Sequence, residues 1–136
     1  KKQETSINIT EVLKGLQESL FIIQAEVAAL AFGYPQTKKI TAEKTKAMET
    51  VILKIDEALP PLKNFIIPGA SELSARLDVA RAIARRVERQ AKKYSEEKEL
   101  SHNLLQFLNR LSSVLFALAR YVNHEKGIKE DNPAYN

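Results

Sequence analysis

Apolar side chains recur at intervals of three and four residues along four long segments of this 136-residue chain. This interval matches the 3.6-residue period of an α-helix, and no segment shows the alternation expected of a β-strand. The apolar stripes therefore predict four long helices and an all-α fold. Their positions, from the first stripe to the fourth, are Ile9, Leu13, Leu16, Leu20, Ile23, Val27 and Leu30; Met48, Ile52, Ile55 and Leu59; Leu73, Leu77, Ala80, Ala84, Val87 and Ala91; and Leu104, Leu108, Leu111, Leu115, Leu118 and Val122.

Residues that commonly cap helices stand at the ends of these segments. Thr41 and Ser71 are the predicted N-caps of the second and third helices, and Ser95 is a predicted early cap of the fourth. The first helix should stop at the Phe-Gly-Tyr-Pro segment of residues 32–35. Gly127 is well placed at the C-terminal end of the fourth helix.

The connections between the segments are short, apart from residues 60–70. Long helices joined by short loops favour antiparallel neighbours, so we predict a single domain over residues 1–136, an up-and-down bundle of the ferritin-like kind. The stripes favour crossing angles of about +20°. Alanines in the third stripe allow another helix or a subunit to approach closely there. The polar tail of residues 129–136 is expected to fray.

Composition narrows the classes of protein to which the chain can belong. It has no cysteine, which excludes disulfides and thiolate metal sites and is compatible with a reducing compartment. Its net charge of +4 suits a local anion site better than a broad nucleic-acid surface. No apolar run approaches the roughly 18 residues that span a bilayer. We therefore expect a cytoplasmic protein without nucleic-acid or membrane partners. Because the chain begins with Lys1 rather than methionine, residues upstream of it could be missing.

The third helix is dense in arginine. Arg81, Arg85 and Glu88 follow one another at intervals of four and three residues, so they form one line on the helix surface, about 100° from the core stripe. One interpretation is a solvated face on which Glu88 pairs with Arg85 or a neighbour, and charge pattern alone favours it. The other is a clamp for polyphosphate, because guanidinium groups match phosphate oxygens with paired hydrogen bonds.

Two other positions also allow a structural and a functional interpretation. The apolar residues 65–67, which begin with Phe65, could plug the end of the bundle or line a ligand pocket, and the plug is the better prediction. Asn109 lies beside the fourth stripe, where its amide could join two helices or bind a ligand. Arg110 and Arg120 are predicted to be ordinary ion-pair or surface residues.

Familiar catalytic and metal motifs are absent from the sequence. His102 and His124 lie far apart on one helix and lack a second histidine at the spacing that zinc requires. Ser112 and Ser113 have no local base that could activate them. No phosphate-binding Walker loop or dinucleotide glycine motif occurs. The sequence itself therefore offers no catalytic nucleophile.

Three motifs carry a resemblance to a known family. They are a Phe-x-x-Pro-Gly loop, then a helix reading Ala-Arg-x-x-x-Arg-Arg-x-Glu-Arg, then Asn-Arg-Leu-Ser-x-x-Leu-Phe in the last long helix. Here they occur in that order in FIIPGASELSARLDVARAIARRVERQ at 65–90 and FLNRLSSVLFALARYVN at 107–123. The chain resembles the PduO-type ATP:cob(I)alamin adenosyltransferases over about Leu13 to Val122, and residues 59–65 also match the family's approach to the loop.

The resemblance implies a fold, an activity and an assembly. The family is a helical bundle that forms a homotrimer with active sites between its subunits. It transfers the 5′-deoxyadenosyl group of ATP to cob(I)alamin and leaves triphosphate. ATP with its bound Mg²⁺ and cobalamin are thus the implied ligands. A protein for this task must align cobalt with the 5′ carbon and offset the charge of the leaving triphosphate.

The same resemblance implies roles for five residues. Phe65 would lie by the corrin ring, on the face where the lower axial ligand must be displaced. Arg81 would form an ion pair between subunits with an acid of the family's first helix. Arg85 and Glu88 would act catalytically around ATP and its cation, and Asn109 would contact the nucleotide.

The chain departs from the family pattern in places. The family opens with a Thr-Gly-Asp-x-Gly loop for the phosphates and a helix with Asp-Glu-Leu-Asn, and neither occurs here. Either these elements, with a fifth, N-terminal helix, are missing from the chain as given, or the chain is a degenerate homologue. The second expectation is therefore a non-catalytic bundle that binds cobalamin or only assembles with partners. The gene sequence upstream of Lys1 would distinguish the enzyme from the non-catalytic bundle, because a phosphate loop there favours the enzyme. Smaller departures are Ala70 for a glycine, Asp78 for a histidine, and residues 113–114 for an Asp-Tyr pair.

Overall fold

The computed structural model describes residues 6–135 as an all-α fold of four helices, and no strand occurs in that range. The first five residues and Asn136, at the ends of the predicted domain, lie outside the described residues. The prediction of four long helices is confirmed. The helices are α1 (Ile9–Phe32), α2 (Ala42–Ala58), α3 (Glu72–Ser95) and α4 (His102–Glu125).

Hydrogen bonds between helices fix their directions. Ser101, at the start of α4, donates to Glu26 in the second half of α1 at 2.6 Å. Asn123, near the end of α4, accepts from Ser71 at the start of α3 at 2.6 Å. Both α1 and α3 therefore run antiparallel to α4.

The second helix runs in the same direction as α4. Glu49 in the first half of α2 pairs with Arg110 early in α4 at 3.5 Å, and Pro60 just after α2 accepts from Arg120 late in α4 at 3.2 Å. The four helices thus alternate in direction, and the predicted up-and-down bundle is confirmed. Arg110 and Glu49 are each about half exposed, so this pair is the ordinary surface ion pair that the sequence predicts.

The core is organised around α4, which is buried on most of its circumference. Every member of its predicted stripe is buried, and Phe107 and Val114 are also completely inaccessible to solvent. The other three helices cover it with their own stripes, including Leu16 of α1 and Ile55 of α2. The helix α1 is also long and apolar enough to cross a membrane, but length and composition alone are weak evidence for a membrane span. In this structure the apolar stripe of α1 packs against the bundle core.

The predicted stripe of α3 is wrong at one position. Val87 is 43% exposed, whereas Glu88, placed by the sequence on the shoulder of the helix, is only 8% exposed. The 3.6-residue period allows either residue to follow Ala84 toward the core. The carboxylate takes the inner position because Asn109 of α4 offers it a hydrogen bond there.

Most of the predicted caps are confirmed. Ser71 caps α3 in a reciprocal capping box with Ser74, whereas Thr41 occupies the N-cap of α2 without a side-chain bond. Gly127 lies just past α4 with a φ of 66°. The prediction for Ser95 is wrong, because that residue ends α3 and its hydroxyl accepts a hydrogen bond from the amide of Leu100. Ser101 caps α4 instead.

The polar tail does not fray as predicted. The carbonyl of Asp131 accepts from the amide of Ile67 at 2.8 Å, and the side chain of Asn132 donates to the carbonyl of Phe65 at 2.7 Å. The loop lacks helical partners for these backbone groups, so the tail satisfies them.

The two contrasting caps lead to a test of stability. Ser71→Ala removes both a cap bond and the bond to Asn123, leaving a buried amide oxygen unpaired, so we expect a loss of about 2 kcal/mol in the free energy of unfolding. Thr41→Ala is the matched control and should cost less than about 0.5 kcal/mol. Urea denaturation measures both, and equal losses would contradict the assignment of the caps.

Candidate functional site

The arginines of α3 border a cleft of about 540 Å³ between α2, α3 and α4. Arg81 and Arg85 line it from α3, Asp56 from α2, and Arg120 from α4. Three guanidinium groups against one carboxylate give the cleft a positive field, which favours an anionic ligand.

The ring of Phe116 supports one of these arginines. The guanidinium carbon of Arg81 lies 5.3 Å from the centre of that ring, which is within cation–π distance. The contact favours one orientation of the guanidinium at the wall of the cleft. Phe116, Arg81 and Leu62 also line a second cleft, so the two clefts adjoin.

The second cleft, of about 890 Å³, carries the loop aromatic. Phe65 lines it and is 78% exposed, and Ile67 on the same loop is 47% exposed. The prediction that this segment plugs the bundle end is therefore wrong. A buried plug needs the loop to fold inward, whereas the tail holds it outward through Asp131 and Asn132.

Glu88 and Asn109 form a pair on neighbouring helices. The amide of Asn109 donates to the Oε2 of Glu88 at 2.9 Å, and the ammonium group of Lys92 lies 3.2 Å from the same oxygen. Burial by itself raises the pKa of Glu88, but these two hydrogen bonds and the charges of Lys92 and Arg85 outweigh it, so the net pKa is lowered. Glu88 is thus a fixed, ionised carboxylate, and the interpretation of a fully solvated face is wrong at this position.

The structure brings together some of the predicted site residues and separates others. Arg81 and Arg85 share the first cleft, and Arg81 also meets Phe65 at the second. Glu88 and Asn109 bond to each other but line neither cleft; they lie on the continuation of the arginine line. The five residues therefore form a band along α3, with Phe65 at one end.

Arg120 forms an ion pair, as the sequence predicts, but it does so at a largely buried position. Its side chain is only 13% exposed, it donates to the carbonyl of Pro60, and its Nε lies 3.8 Å from Glu130. The expected ion pair exists, but the position is not a surface one. Its spacing of four from Phe116 could have placed the two on one face of α4. Residue spacing does not predict that the loop beginning at Pro60 packs against this face.

A protein-only metal centre is not found in the part of the chain that the structure describes. Residues 6–135 contain no group of three or more His, Asp or Glu side chains that could hold a metal ion. The expectation that His102 and His124 do not bind a metal stays a prediction.

Comparison with known proteins agrees with the resemblance carried by the three motifs. The family model described as cobalamin adenosyltransferase matches residues 1–122. The chain belongs to the cobalamin adenosyltransferase family. It is 39% identical over 116 residues to the corrinoid adenosyltransferase PduO of Citrobacter freundii, covering 85% of this chain and 35% of that protein. It is 36% identical over 121 residues to the corrinoid adenosyltransferase of Bacillus subtilis, covering 89% and 62%.

A solved member of the family shares the fold. A variant of the PduO-type ATP:corrinoid adenosyltransferase from Lactobacillus reuteri, complexed with cobalamin and ATP, superposes with a TM-score of 0.85 at 30% identity. The match covers 94% of this chain and 74% of that one. The chain thus spans about a third of the Citrobacter PduO and under two thirds of the Bacillus protein.

The lowered pKa of Glu88 makes its contribution to stability depend on pH. At pH 7, Glu88→Gln should lower the free energy of unfolding by about 2 kcal/mol, because it removes charged hydrogen bonds. Below the ordinary pKa of 4.5 the unfolded carboxylate binds its proton first, so this difference should shrink as pH falls through the lowered folded value. Urea denaturation from pH 7 to pH 3 measures it.

Glu72→Gln is the control for this measurement. Glu72 pairs with Arg76 at the same i,i+4 spacing, but both side chains are more than three quarters exposed. A pair of that kind contributes little, so its substitution should leave stability nearly unchanged at each pH. A Glu88→Gln difference that stays constant down to pH 3 would contradict the lowered pKa.

Proposed function

We propose that this chain is the helical-bundle part of an enzyme that transfers the 5′-deoxyadenosyl group of ATP to cob(I)alamin. The observation that carries the proposal is the junction of the two clefts, where the arginine cleft meets an exposed aromatic ring across Arg81 and Phe116. One ligand of the reaction is polyanionic and the other presents a broad corrin face. The names of the relatives and the ligands of the solved neighbour support the same activity.

The chemistry requires electrostatics rather than a protein nucleophile. Cobalt of cob(I)alamin attacks the 5′ carbon of ATP with an electron pair, the cobalt–carbon bond forms, and the carbon–oxygen bond breaks. Triphosphate leaves with the electrons of that bond. Arg85, at the wall of the first cleft, is placed to offset the charge that develops on the leaving oxygens. A guanidinium group acts here through its positive charge and its hydrogen bonds, so the step needs no proton transfer from it.

Glu88 and Asn109 would serve the nucleotide end of the site. Both hydrogen bonds to Glu88 reach Oε2, so Oε1 is the oxygen that can face the cation of MgATP. Magnesium is commonly held by one or two carboxylates together with substrate phosphates, and a single fixed carboxylate fits that pattern. Asn109 donates to Glu88 through its nitrogen, so its carbonyl oxygen is the group that would contact the nucleotide.

Phe65 would form an apolar wall against the corrin ring. A ring that is 78% exposed gains stabilisation when a ligand covers it. A wall that excludes water on the lower face favours cobalt without its lower axial ligand. This environment raises the reactivity of the metal centre without any bond from the protein.

The same proposal includes a cytoplasmic homotrimer with sites between subunits. Val79, Ile83 and Val87 lie at intervals of four along α3 and are each more than 40% exposed, which leaves an apolar face beside the arginine line. In the full-length protein, a second copy packed on this face could bring the acid of the family's first helix near Arg81. That arrangement supplies the inter-subunit ion pair that the family resemblance implies.

Sedimentation tests the assembly. The full-length protein should sediment as a trimer, and Ile83→Glu should shift it toward the monomer mass because a buried charge is costly at an interface. Leu53→Glu is the control, since Leu53 is 62% exposed on α2, away from that face. A monomeric wild type, or equal effects of the two substitutions, would overturn the trimer.

A second candidate is a non-catalytic bundle that binds cobalamin or assembles with partners. It would apply if the full-length protein lacked a Thr-Gly-Asp-x-Gly segment, because the arginine cleft would then lack the loop that cradles the phosphates in the family. Upstream sequence discriminates between the two, as does ATP binding by the full-length protein.

The assay of activity uses the full-length protein with ATP, Mg²⁺ and reduced cobalamin. We expect adenosylcobalamin and triphosphate, and we expect Arg85→Ala to reduce kcat on the order of 10²-fold with an unchanged melting temperature. Arg89→Ala is the matched control, because Arg89 is exposed on the same helix and lines neither of the two clefts. Absence of product together with absence of ATP binding would overturn the proposed function.

A further inference from the structure

The loop of residues 65–69 is held by hydrogen bonds from outside itself. The carbonyl of Phe65 accepts from the side chain of Asn132 at 2.7 Å, and the amide of Ile67 donates to the carbonyl of Asp131 at 2.8 Å. The amide of Gly69 donates to the carboxylate of Asp78 at 3.0 Å. Three alternate residues of the loop are therefore fixed by the C-terminal tail and by α3.

The tail that holds the loop is itself anchored to α4. The amide of Ile128 donates to the carbonyl of Asn123 at 2.8 Å, and the side chain of Asn123 lies 3.3 Å from a carboxylate oxygen of Glu130. The other oxygen of Glu130 lies 3.8 Å from the guanidinium of Arg120, which also bonds the carbonyl of Pro60. Residues 128–132 thus connect the end of α4 to the first half of the loop, at Phe65 and Ile67.

This loop has little else to fix it. Its aromatic ring is largely exposed, so packing against the bundle does not determine where the ring lies. Gly69 turns the chain with a φ of 89°, and the chain then enters α3. Each hydrogen bond restrains the backbone at one residue, so the three together hold the loop in one position.

We infer that the tail of residues 128–132, with Asn132 as its main contact, is a positioning element that sets Phe65 against the corrin ring. This inference rests on the proposed function. The tail touches the backbone of the loop, and Asp78 completes the hold from α3. Without it, the ring would sample several positions, and fewer bound cobalamin molecules would lose their lower ligand.

Two readouts test the role of Asn132. For Asn132→Ala we expect a fall in kcat of about tenfold with an unchanged KM for ATP, because a displaced ring affects the cobalt rather than the nucleotide. Electron paramagnetic resonance of bound cob(II)alamin should show a larger fraction that retains its lower nitrogen ligand. Lys129→Ala, an exposed position in the same tail, is the control and should match the wild type in both.

Asp78 provides a conservative rescue. Asp78→Ala removes the acceptor for the Gly69 amide and should reproduce both defects. Asp78→Asn keeps an oxygen acceptor, so it should have the kcat and the spectrum of the wild type. A merely structural role would lower the melting temperature without changing the resonance spectrum.

The outcomes separate this inference from the proposed function. An active wild type with undiminished kcat and an unchanged spectrum in Asn132→Ala overturns the role of the tail alone. A wild type that forms no adenosylcobalamin overturns the proposed function, and the positioning role falls with it.

Discussion

The burial of α4 on most of its circumference is the constraint on which the rest of this structure depends. A helix that is apolar on most of its circumference must be covered by all three others. Its few polar side chains must then find partners inside the protein, because an unpaired buried polar group is costly. Asn123 forms hydrogen bonds with Ser71 and Glu130, and Arg120 donates one to the carbonyl of Pro60. These partners are the start of α3, the tail and the long loop, so satisfying α4 also arranges the surroundings of the candidate site.

The helices and their directions follow from the sequence because they depend on local period and loop length. The stripe of α4 is confirmed throughout for this reason, and Ser71 is confirmed as a cap because its partners lie three residues away. The stripe of α3 is wrong at Val87 because small residues define its inner face weakly. Glu88 rather than Val87 lies on the inner face because it accepts a hydrogen bond from Asn109, a residue 21 positions later in the chain.

The candidate site is less readable, because its geometry depends on contacts between distant parts of the chain. The exposure of Phe65 follows from bonds with a tail 67 residues away, and that tail was expected to fray. The roles of Arg85, Glu88 and Asn109 came from resemblance, and they remain predictions. Spacing placed Arg81, Arg85 and Glu88 in one line. It could not show that the first two open on a cleft and that the third is buried.

The three arginines of the first cleft differ in how far other groups of the protein offset their charge. Arg81, Arg85 and Arg120 border one cleft with Asp56 as its only acidic lining residue, so their like charges repel, and Glu130 at 3.8 Å offsets part of the charge of Arg120 alone. The cation–π contact with Phe116 and the bond to Pro60 offset part of this cost. They act on the guanidinium groups of Arg81 and Arg120, while Arg85 stays exposed. Arg85 is therefore the arginine whose charge is most available to a phosphate, and this distinguishes it from its neighbours in the same line.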